Sequence, residues 1–371
     1  MKNFEHITLG QRVLFGSGKS AEHLSAEVSR VGASRTMVIA SEFERSMAET
    51  ATAGISPALW WDEVVMHVPV EVAERARAAA VEHDIDLLVC VGGGSTTGLA
   101  KAVALATGIP IVAVPTTYAG SEATNVWGMT EERTKTTGVD DKVLPVTVIY
   151  DAEFTRSLPV ELSVSSGLNA LAHCIDSLWA PKADPINQAL ALEGSRALAA
   201  GLAGVAADPN DIDAREETLH GAYLAAVAFA SAGSGLHHKI CHVLGGTFNL
   251  PHAQTHATVL PYVLAFNAPA VPDLAHRLAA ALGRPAAGNQ DAAQAAVEAL
   301  NTLRRTLGAP SALIDYGFTA DGIPEAVERV LRAVPASNPV TPTEENITGL
   351  LTAALHGVTP TAALAAPVEA R

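Results

Sequence analysis

A dense group of histidines is the part of this sequence that points most clearly to chemistry. Residues 235–257 read GLHHKICHVLGGTFNLPHAQTHA and hold five of the chain's thirteen histidines. Upstream, the segment GLNALAHC places Asn169 four residues before His173. Imidazoles this concentrated usually indicate metal ligation or proton transfer. The choice between the two depends on Asn169, because a metal site would favour a carboxylate at that position.

The spacing of these residues predicts one shared polar cavity. Asn169 and His173 are four residues apart, as are His238 and His242, so each pair shares a helix face. His252 follows a Gly-Gly pair and a proline, and we expect a turn there to return it over the same face. Any single histidine is more often structural, but several polar groups on apolar helices need a common polar environment. An aspartate at position 169 would complete a set for Fe²⁺ or Zn²⁺, whereas an amide oxygen is a weaker donor.

Lys239 stands out because it is isolated from other basic residues. It lies inside HHKICH and is the only Lys or Arg between Arg215 and Arg277. It is either a solvent-facing lysine on the outer side of a helix or an anchor for a substrate carboxylate. Lys142 and Arg133, in the N-terminal half, are weaker candidates for such an anchor.

Composition describes a compact folded protein and excludes several classes. The chain has 371 residues, 49% hydrophobic and 17% charged, which is enough for two domains. A net charge of −15 argues against binding nucleic acid or anionic membranes, so an anionic substrate would need a locally cationic pocket. No stretch of 18 or more apolar residues and no signal-peptide pattern is apparent. With three cysteines expected to be free thiols (Cys90, Cys174 and Cys241), we expect a cytoplasmic, oligomeric protein.

Hydrophobic patterning divides the chain near residue 155. Before it, helical segments ending near Val31 and Thr107 separate apolar strand candidates at 7–16, 35–40, 86–91, 109–114 and 146–151. Such runs indicate a parallel sheet covered on both faces. Beyond it, Ala- and Leu-rich periodicity predicts helices at 158–180, 185–207, 213–233, 291–307 and 324–333. The expected organisation is an α/β dinucleotide-binding domain over 1–155 and an all-helical domain over 156–371, ending in a loose tail.

Two small-residue loops predict a dinucleotide ligand. Gly92-Gly93-Gly94-Ser95 follows a strand and opens a helix, where free N–H groups and the helix dipole favour phosphate. That loop alone could be a turn without a ligand. The second loop, PTTYAGSEAT at 115–124, also follows a parallel strand, and ligands of open α/β sheets bind at these carboxyl ends.

Ser41 bears on the choice of dinucleotide. It follows a strand at a position where an acidic residue often holds the adenosine 2′-hydroxyl. A serine would not repel a 2′-phosphate, although Glu42 is adjacent, so the cofactor is expected to be NADH, NADPH or both. A simple helix-capping role for Ser41 is equally compatible.

These motifs resemble the iron-containing alcohol dehydrogenase superfamily, which shares its fold with dehydroquinate synthase and glycerol dehydrogenase. The resemblance runs from about Leu14 to beyond Asn267 and rests on GGGSTTGLAK, PTTYAGSEAT, GLNALAHCID and HHKICHVLGGTFNLPHAQTHA. Within the superfamily the maleylacetate reductase branch is the most similar. The resemblance implies an N-terminal dinucleotide domain, a C-terminal helical domain, a cleft between them and a dimer.

Residues carried over from the superfamily define an expected site. Gly93, Gly94 and Ser95 would hold the pyrophosphate, while the nicotinamide side would be lined by Thr116, Thr117 and Ser121, with Lys142 near its ribose. Metal-dependent members have an aspartate where this chain has Asn169, with their other ligands at positions matching His173, His238 and His252. They also commonly have an aspartate in place of Gly98. No metal is therefore expected here.

The branch resemblance implies NAD(P)H-dependent reduction of the carbon–carbon double bond of maleylacetate, giving 3-oxoadipate during aromatic-compound degradation. Charge would develop as a delocalised enolate, which hydrogen-bond donors and a proton source can stabilise in place of a metal. The expected catalytic residues are His173, His238, His242 and His252, with His242 and His252 the first choices for proton donation. Asn169, Lys239 and Tyr118 are the expected substrate contacts.

Three other functions stay open at this point. The nearest is a metal-dependent alcohol or glycerol dehydrogenase with an unusual asparagine ligand. The second is a zinc-dependent lyase of the dehydroquinate-synthase type, which Asn169 disfavours. The third is a non-catalytic nucleotide sensor, disfavoured because a dead site has little reason to keep so many polar residues on apolar helices.

Overall fold

The computed structural model of this chain describes residues 3–131, 134–286 and 291–362. These residues form two units. An α/β unit comprises Thr8–Pro159 together with Asn210–Leu219, and a helical unit comprises Met1–Ile7, Val160–Pro209 and His220–Arg371. The units thus differ from a single division at residue 155, because two short segments group with the opposite part of the chain. Most of the expected C-terminal tail lies outside the described residues.

A six-stranded parallel sheet organises the α/β unit. Its strands, in spatial order, are β1 (Arg12–Phe15), β8 (Thr147–Tyr150), β5 (Ile111–Pro115), β4 (Leu87–Gly92), β2 (Thr36–Ile39) and β3 (Leu59–Trp61). Every neighbouring pair is parallel. The carboxyl ends of β2, β4 and β5 therefore lie side by side, and the loops that follow them share one edge of the sheet.

Alternate side chains of the strands enter two separate cores. Met37 and Ile39 of β2 belong to a cluster that includes residues of α3 (Val70–Glu82) and α4 (Gly94–Thr107). Val38, between them, belongs to a second cluster with residues of α1 (Ser20–Val31) and α2 (Arg45–Ala51). Successive residues of a strand face opposite sides, so a strand buried on both faces is apolar throughout. This confirms the predicted α/β sheet with helices on both faces.

Three strands were not anticipated. β3 is only three residues long, and β6 (Val126–Glu131) pairs antiparallel with β7 (Thr134–Val139) in a separate hairpin. No residue of β6 is fully buried, and the two hairpin strands are rich in threonine, so they lack the apolar runs that revealed the central strands. Arg133, named above as a weak anchor candidate, lies outside the described residues.

Nine helices make up the rest of the described chain, with α7 beginning in the segment that groups with the α/β unit. They are α5 (Val160–Ser177), α6 (Pro185–Ala207), α7 (Ile212–Ala232), α8 (Leu236–Phe248), α9 (His252–Asn267), α10 (Pro272–Ala281), α11 (Ala292–Thr306), α12 (Ile323–Ala333) and α13 (Glu344–His356). α5 and α9 are buried along most of their length, and an apolar core joins α8, α9, α12 and α13. The helical character predicted beyond residue 158 is confirmed.

By length and composition α6 is apolar enough to cross a bilayer, and α7 with α8 would count as a second segment if taken together. This qualifies the expectation that no such stretch exists. α6 packs closely on α5: a Cβ at Gly167 of α5 would come within 2.8 Å of a methyl carbon of Leu202. Small residues at this contact allow the two helices to approach, as in the core of a helical domain.

The three cysteines are all free and buried, which confirms their expected state. Burial raises the pKa of Cys90 and of Cys174 to about 12, so both are neutral thiols at physiological pH. Both pack as small apolar side chains, Cys90 in the sheet and Cys174 in α5.

Candidate active site

The glycine-rich loop lies where β4 passes into α4. The first helical hydrogen bond of α4 runs from the Thr97 N–H to the Gly93 carbonyl at 3.1 Å. The N–H groups of Gly94, Ser95 and Thr96 therefore precede that ladder at the positive end of the helix dipole. Gly93, Gly94 and Ser95 are half-buried rather than sealed in the core. This loop offers several backbone donors to an anionic group such as a pyrophosphate.

The loop after β5 lies directly against the glycine loop. The Thr116 N–H donates to the Gly92 carbonyl at 3.1 Å. A Cβ at Gly93 would come within 3.1 Å of the Thr117 methyl group, so glycine is needed for this approach. Ser121 begins a short 3₁₀ helix, Ser121–Ala123, further along the same loop. The structure thus brings together the residues expected at the phosphate side and those expected at the nicotinamide side.

Ser41 contacts the same sheet edge through a residue that sequence reasoning missed. Its N–H and hydroxyl both donate to the Glu44 carboxylate, the N–H at 3.2 Å. The other Glu44 oxygen accepts a hydrogen bond from the Gly93 N–H at 3.3 Å. The adjacent Glu42 is exposed. The acidic group beside the glycine loop is therefore Glu44, three residues beyond the position that sequence comparison singles out.

Three other positions of the α/β unit were considered at the sequence level. Lys142 is exposed on a short 3₁₀ helix, Asp141–Val143. Tyr118 is fully buried, and its hydroxyl accepts a hydrogen bond from the Arg215 guanidinium at 3.2 Å, so this structure gives it a packing role. A Cβ at Gly98 would lie 2.8 Å from a Val68 methyl carbon. An aspartate at position 98 would thus require Val68 to move.

The histidines of the helical unit meet in one cluster formed by three helices. His173 comes from α5, His237, His238 and His242 from α8, and His252 and His256 from α9. Ring centroids lie 4.9 Å apart for His173 and His238, 5.0 Å for His238 and His256, and 4.3 Å for His252 and His256. Phe229 of α7 packs against His173 and His238. All four predicted catalytic histidines therefore belong to this cluster, to which the structure adds His237 and His256.

The turn that brings α9 back along α8 differs from the expected one. The Gly-Gly pair at 245–246 lies within α8, which continues to Phe248. Asn249 ends the helix in a left-handed conformation, with φ of 56°. Pro251 then caps α9, whose first residue is His252. The reversal was predicted correctly but assigned to the wrong residues, because asparagine also adopts the left-handed conformation that favours glycine.

A buried carboxylate, Asp176 of α5, orients His238. It faces His238 Nδ1 at 2.7 Å and accepts the Gly235 N–H at 2.8 Å, at the beginning of α8. A Cβ at Gly235 would press against the same carboxylate, so glycine permits the contact. Burial raises the pKa of Asp176 to about 7, while the N–H donors and Lys239 lower it. The contact leaves His238 Nε2 directed away from Asp176, without a hydrogen-bond partner among the described residues.

His237 and His256 form a second buried pair. His237 Nε2 and His256 Nδ1 are hydrogen-bonded 3.0 Å apart, and the Cys241 sulfur lies 3.6 Å from the same His237 nitrogen. These three ligand atoms are close enough to hold a metal ion. A shared proton between two neutral imidazoles accounts for the same geometry. Either way, His237 fixes the orientation of His256, which contacts His252.

Burial separates the cluster into an inner and an outer layer. The inner histidines, at most 8% exposed, are His173, His237, His238 and His256. Burial lowers their pKa, to about 4 for His173 and about 3 for His237, so they are neutral at pH 7. The outer pair, His242 and His252, is half-buried. Lys239 is also half-buried and lies on α8 beside this layer in sequence.

The donors that would hold the family's metal are only partly suited to it. Asn169 is 3% exposed, and its side-chain oxygen has no hydrogen-bond partner in the described part of the chain. With His173, His238 and His252 it would give one amide oxygen and three imidazoles, all neutral. One oxygen of the nearby Asp176 carboxylate is held by His238 and by the start of α8, and the other has no hydrogen-bond partner among the described residues. A divalent iron site prefers an anionic ligand, so this set does not fit Fe²⁺ well.

Comparison with known proteins gives the family. Residues 10–152 match the sequence model for iron-containing alcohol dehydrogenase, and residues 163–355 match that for the C-terminal part of the Fe-containing alcohol dehydrogenase family. A maleylacetate reductase of Sphingobium indicum is 45% identical over 96% of this chain and 99% of its own. The crystal structure of an iron-containing alcohol dehydrogenase from Corynebacterium glutamicum is 63% identical, with a TM-score of 0.94, and covers 98% of this chain and 99% of its own. That of maleylacetate reductase from Rhizobium sp. is 41% identical, with a TM-score of 0.88, and covers 97% of this chain and 100% of its own. The chain belongs to the iron-containing alcohol dehydrogenase family.

Proposed function

We propose that this protein reduces the carbon–carbon double bond of maleylacetate to give 3-oxoadipate, using NADH or NADPH and no metal. The observation that carries this is the histidine cluster, in which Asn169 replaces a carboxylate ligand while the imidazoles remain. Relatives named maleylacetate reductase, 41–47% identical over most of the chain, support the substrate.

The cofactor part of the proposal rests on the sheet edge. The N–H groups of Gly94 and Ser95 at the start of α4 suit a pyrophosphate, and Thr116 and Thr117 line the neighbouring loop. Lys142 is proposed to contact the nicotinamide ribose. When bound, the nicotinamide supplies hydride to the alkene carbon beta to the ketone. Because Thr117 packs against Gly93, these loops are held at one spacing, which suits a single extended ligand.

The reaction then requires one proton and stabilisation of an enolate. The outer histidines, His242 and His252, are half-buried and are proposed to supply the proton to the carbon next to the ketone. The inner histidines are neutral, so each keeps a single N–H, and we propose that those N–H groups not used within the cluster donate to the developing oxyanion. Asn169, whose side-chain oxygen has no hydrogen-bond partner among the described residues, is proposed to contact the substrate. Lys239 is proposed to bind a carboxylate, as an acidic protein with an anionic substrate requires.

No metal is needed for this chemistry, in contrast to alcohol oxidation. A conjugated alkene carries its developing charge away onto the ketone oxygen, where neutral hydrogen-bond donors suffice. Removing hydride from an alcohol instead requires loss of the hydroxyl proton, which a metal-dependent dehydrogenase promotes with a Lewis acid on the alcohol oxygen. The replacement of an anionic ligand by Asn169 thus matches a change of reaction.

A second candidate is a metal-dependent alcohol dehydrogenase. It is favoured by His238, whose Nε2 has no hydrogen-bond partner in the described part of the chain and whose opposite nitrogen faces Asp176 in the manner of a metal-ligating histidine. We further propose that the protein is a cytoplasmic homodimer that binds neither nucleic acid nor membranes.

The test follows at 340 nm the oxidation of NADH and of NADPH with maleylacetate and separately with simple ketones, and the reduction of NAD⁺ and NADP⁺ with simple alcohols. We expect turnover with maleylacetate and identification of 3-oxoadipate by mass spectrometry. Turnover confined to alcohols or simple ketones would support the second candidate. If no substrate gives turnover with any of the cofactors, both candidate functions are wrong.

A further inference from the structure

We propose that Glu44 selects NADH over NADPH by binding the adenosine 2′-hydroxyl; the inference rests on the cofactor part of the proposed function. Ser41 lies where an acidic residue often holds the adenosine 2′-hydroxyl, and because serine is neutral it does not decide between NADH and NADPH. The structure places a carboxylate against this position from three residues downstream.

The position of Glu44 is the first argument. One carboxylate oxygen accepts from Ser41, just beyond β2, and the other accepts from the Gly93 N–H at 3.3 Å. A Cβ at Gly92 would lie 3.0 Å from that second oxygen. The adenosine ribose of a dinucleotide binds between the end of the second strand and the glycine loop. The Glu44 carboxylate is hydrogen-bonded at both of these places, to Ser41 and to Gly93.

Helix capping explains only half of this arrangement. Ser41 and Glu44 form a capping box at the start of the 3₁₀ helix Glu42–Glu44. That motif needs contact between Glu44 and Ser41 alone. The hydrogen bond to Gly93, 49 residues away in sequence, lies outside it. The side chain is therefore held toward the nucleotide edge by a contact that capping does not require.

The nearest cation in sequence is not available to a 2′-phosphate. Arg45 is the only Lys or Arg in residues 40–51. It donates to Glu49 at 2.8 Å and stacks 3.8 Å above the ring of Trp60. A 2′-phosphate carries about −1.5 to −2 charges and would face the Glu44 carboxylate. A ribose hydroxyl would instead donate a charge-assisted hydrogen bond to it.

The experiment measures binding of cofactor fragments to the full protein by calorimetry, without turnover. The ligands are ADP-ribose, its 2′-deoxy analogue and its 2′-phosphate. We expect wild type to bind ADP-ribose roughly 10- to 100-fold more tightly than the 2′-phosphate, the range of one charge-assisted hydrogen bond. The 2′-deoxy analogue should also bind more weakly than ADP-ribose.

Glu44→Gln should bring the ratio of the two dissociation constants close to unity. Glu42→Gln is the matched control, since it removes the same charge from an exposed neighbour, and its ratio should equal that of wild type. Equal wild-type binding of ADP-ribose and its 2′-phosphate would overturn the inference alone. So would an unchanged ratio in a folded Glu44→Gln variant. If this variant does not fold, the three-ligand series on wild type decides. If none of the fragments binds, the cofactor assignment fails, and the inference with it.

Discussion

The sheet edge of the α/β unit and the histidine cluster of the helical unit are built in opposite ways. At the sheet edge the groups offered to a ligand are mostly backbone N–H groups and small hydroxyls, placed by glycines that permit close packing. In the cluster they are side chains from α5, α8 and α9, placed by burial and by one carboxylate. The first arrangement suits binding, and the second suits proton transfer.

This difference teaches which measured quantity each region controls. Backbone donors act on the bound ground state, so damage at the sheet edge should weaken cofactor binding. Proton donors and enolate donors act mainly in the transition state, so damage in the cluster should lower kcat. The two regions are therefore separable by kinetics.

The largest effect is expected in the outer layer of the cluster. His242→Ala and His252→Ala each remove a candidate proton donor, and for the true donor we predict a fall in kcat of roughly 10²- to 10⁴-fold. The dissociation constant for NADH should stay near that of wild type. Steady-state kinetics and calorimetry on the same preparations check this. His276→Ala, at an exposed position of α10, is the control. If both single variants kept kcat within about threefold of wild type, proton donation by this layer would be wrong.

At the sheet edge we expect a smaller effect, and we expect it on cofactor binding instead of on kcat. Gly94→Val places a branched side chain where α4 begins, and a Cβ there already lies 3.3 Å from that of Ala119. We predict that the dissociation constant for NADH rises roughly 10- to 100-fold, the range of one or two lost hydrogen bonds to phosphate. At saturating cofactor, kcat should change little. Gly349→Val, at an exposed and open position of α13 in the helical unit, is the control. A fall in kcat with unchanged cofactor binding would erase the distinction between the two regions.

The inner layer predicts a pH dependence of stability. Burial lowers the pKa of His237 from 6.5 to about 3, so the unfolded chain binds a proton first as the pH falls. The stability that neutral His237 contributes is therefore complete above pH 6.5 and is lost progressively below it, by about 1.4 kcal/mol per pH unit. Asp176 acts in the opposite sense, because its raised pKa lets the folded state take up a proton first between pH 7 and 4.

The free energy of unfolding of His237→Asn should therefore fall less steeply than that of wild type between pH 6 and 4, by about 1.4 kcal/mol per pH unit. Urea titrations at several pH values measure it, with His276→Asn as the exposed control. An unchanged slope in His237→Asn would show that this histidine is not held neutral by burial.

The two regions also differ in how far the sequence predicts them. The sheet edge is formed by runs of consecutive residues, so the motifs GGGS and PTTYAGSEAT identify it without knowledge of packing. Glu44 was missed because its contact with Gly93 spans 49 residues, and its spacing from Ser41 marks it only as a capping residue. The expected central strands and most helices were found, while the hairpin β6–β7 had no apolar pattern to reveal it.

The histidine cluster shows more clearly what the sequence alone could not predict. Helical spacing paired Asn169 with His173 and His238 with His242, but it could not show that Asp176 orients His238 or that His237 joins His256. Those contacts depend on how α5, α8 and α9 pack. The sequence also places Tyr118 in a loop expected to bind a ligand, but it could not show that this side chain is buried against Arg215. The layering of the histidines, which sets their protonation, follows from burial alone.

The central claim is that the histidine cluster works without a metal, and one measurement addresses it directly. The purified wild type is treated with a strong chelator, its metal content is determined by mass spectrometry, and kcat for maleylacetate is measured before and after. Asn169→Asp, which restores an anionic ligand, is carried alongside as the variant expected to gain Fe²⁺ or Zn²⁺. We predict that wild type holds far less than one metal ion per chain and keeps its kcat within about twofold, because no Lewis acid takes part. Loss of activity on chelation, restored by Fe²⁺ or Zn²⁺, would contradict the account.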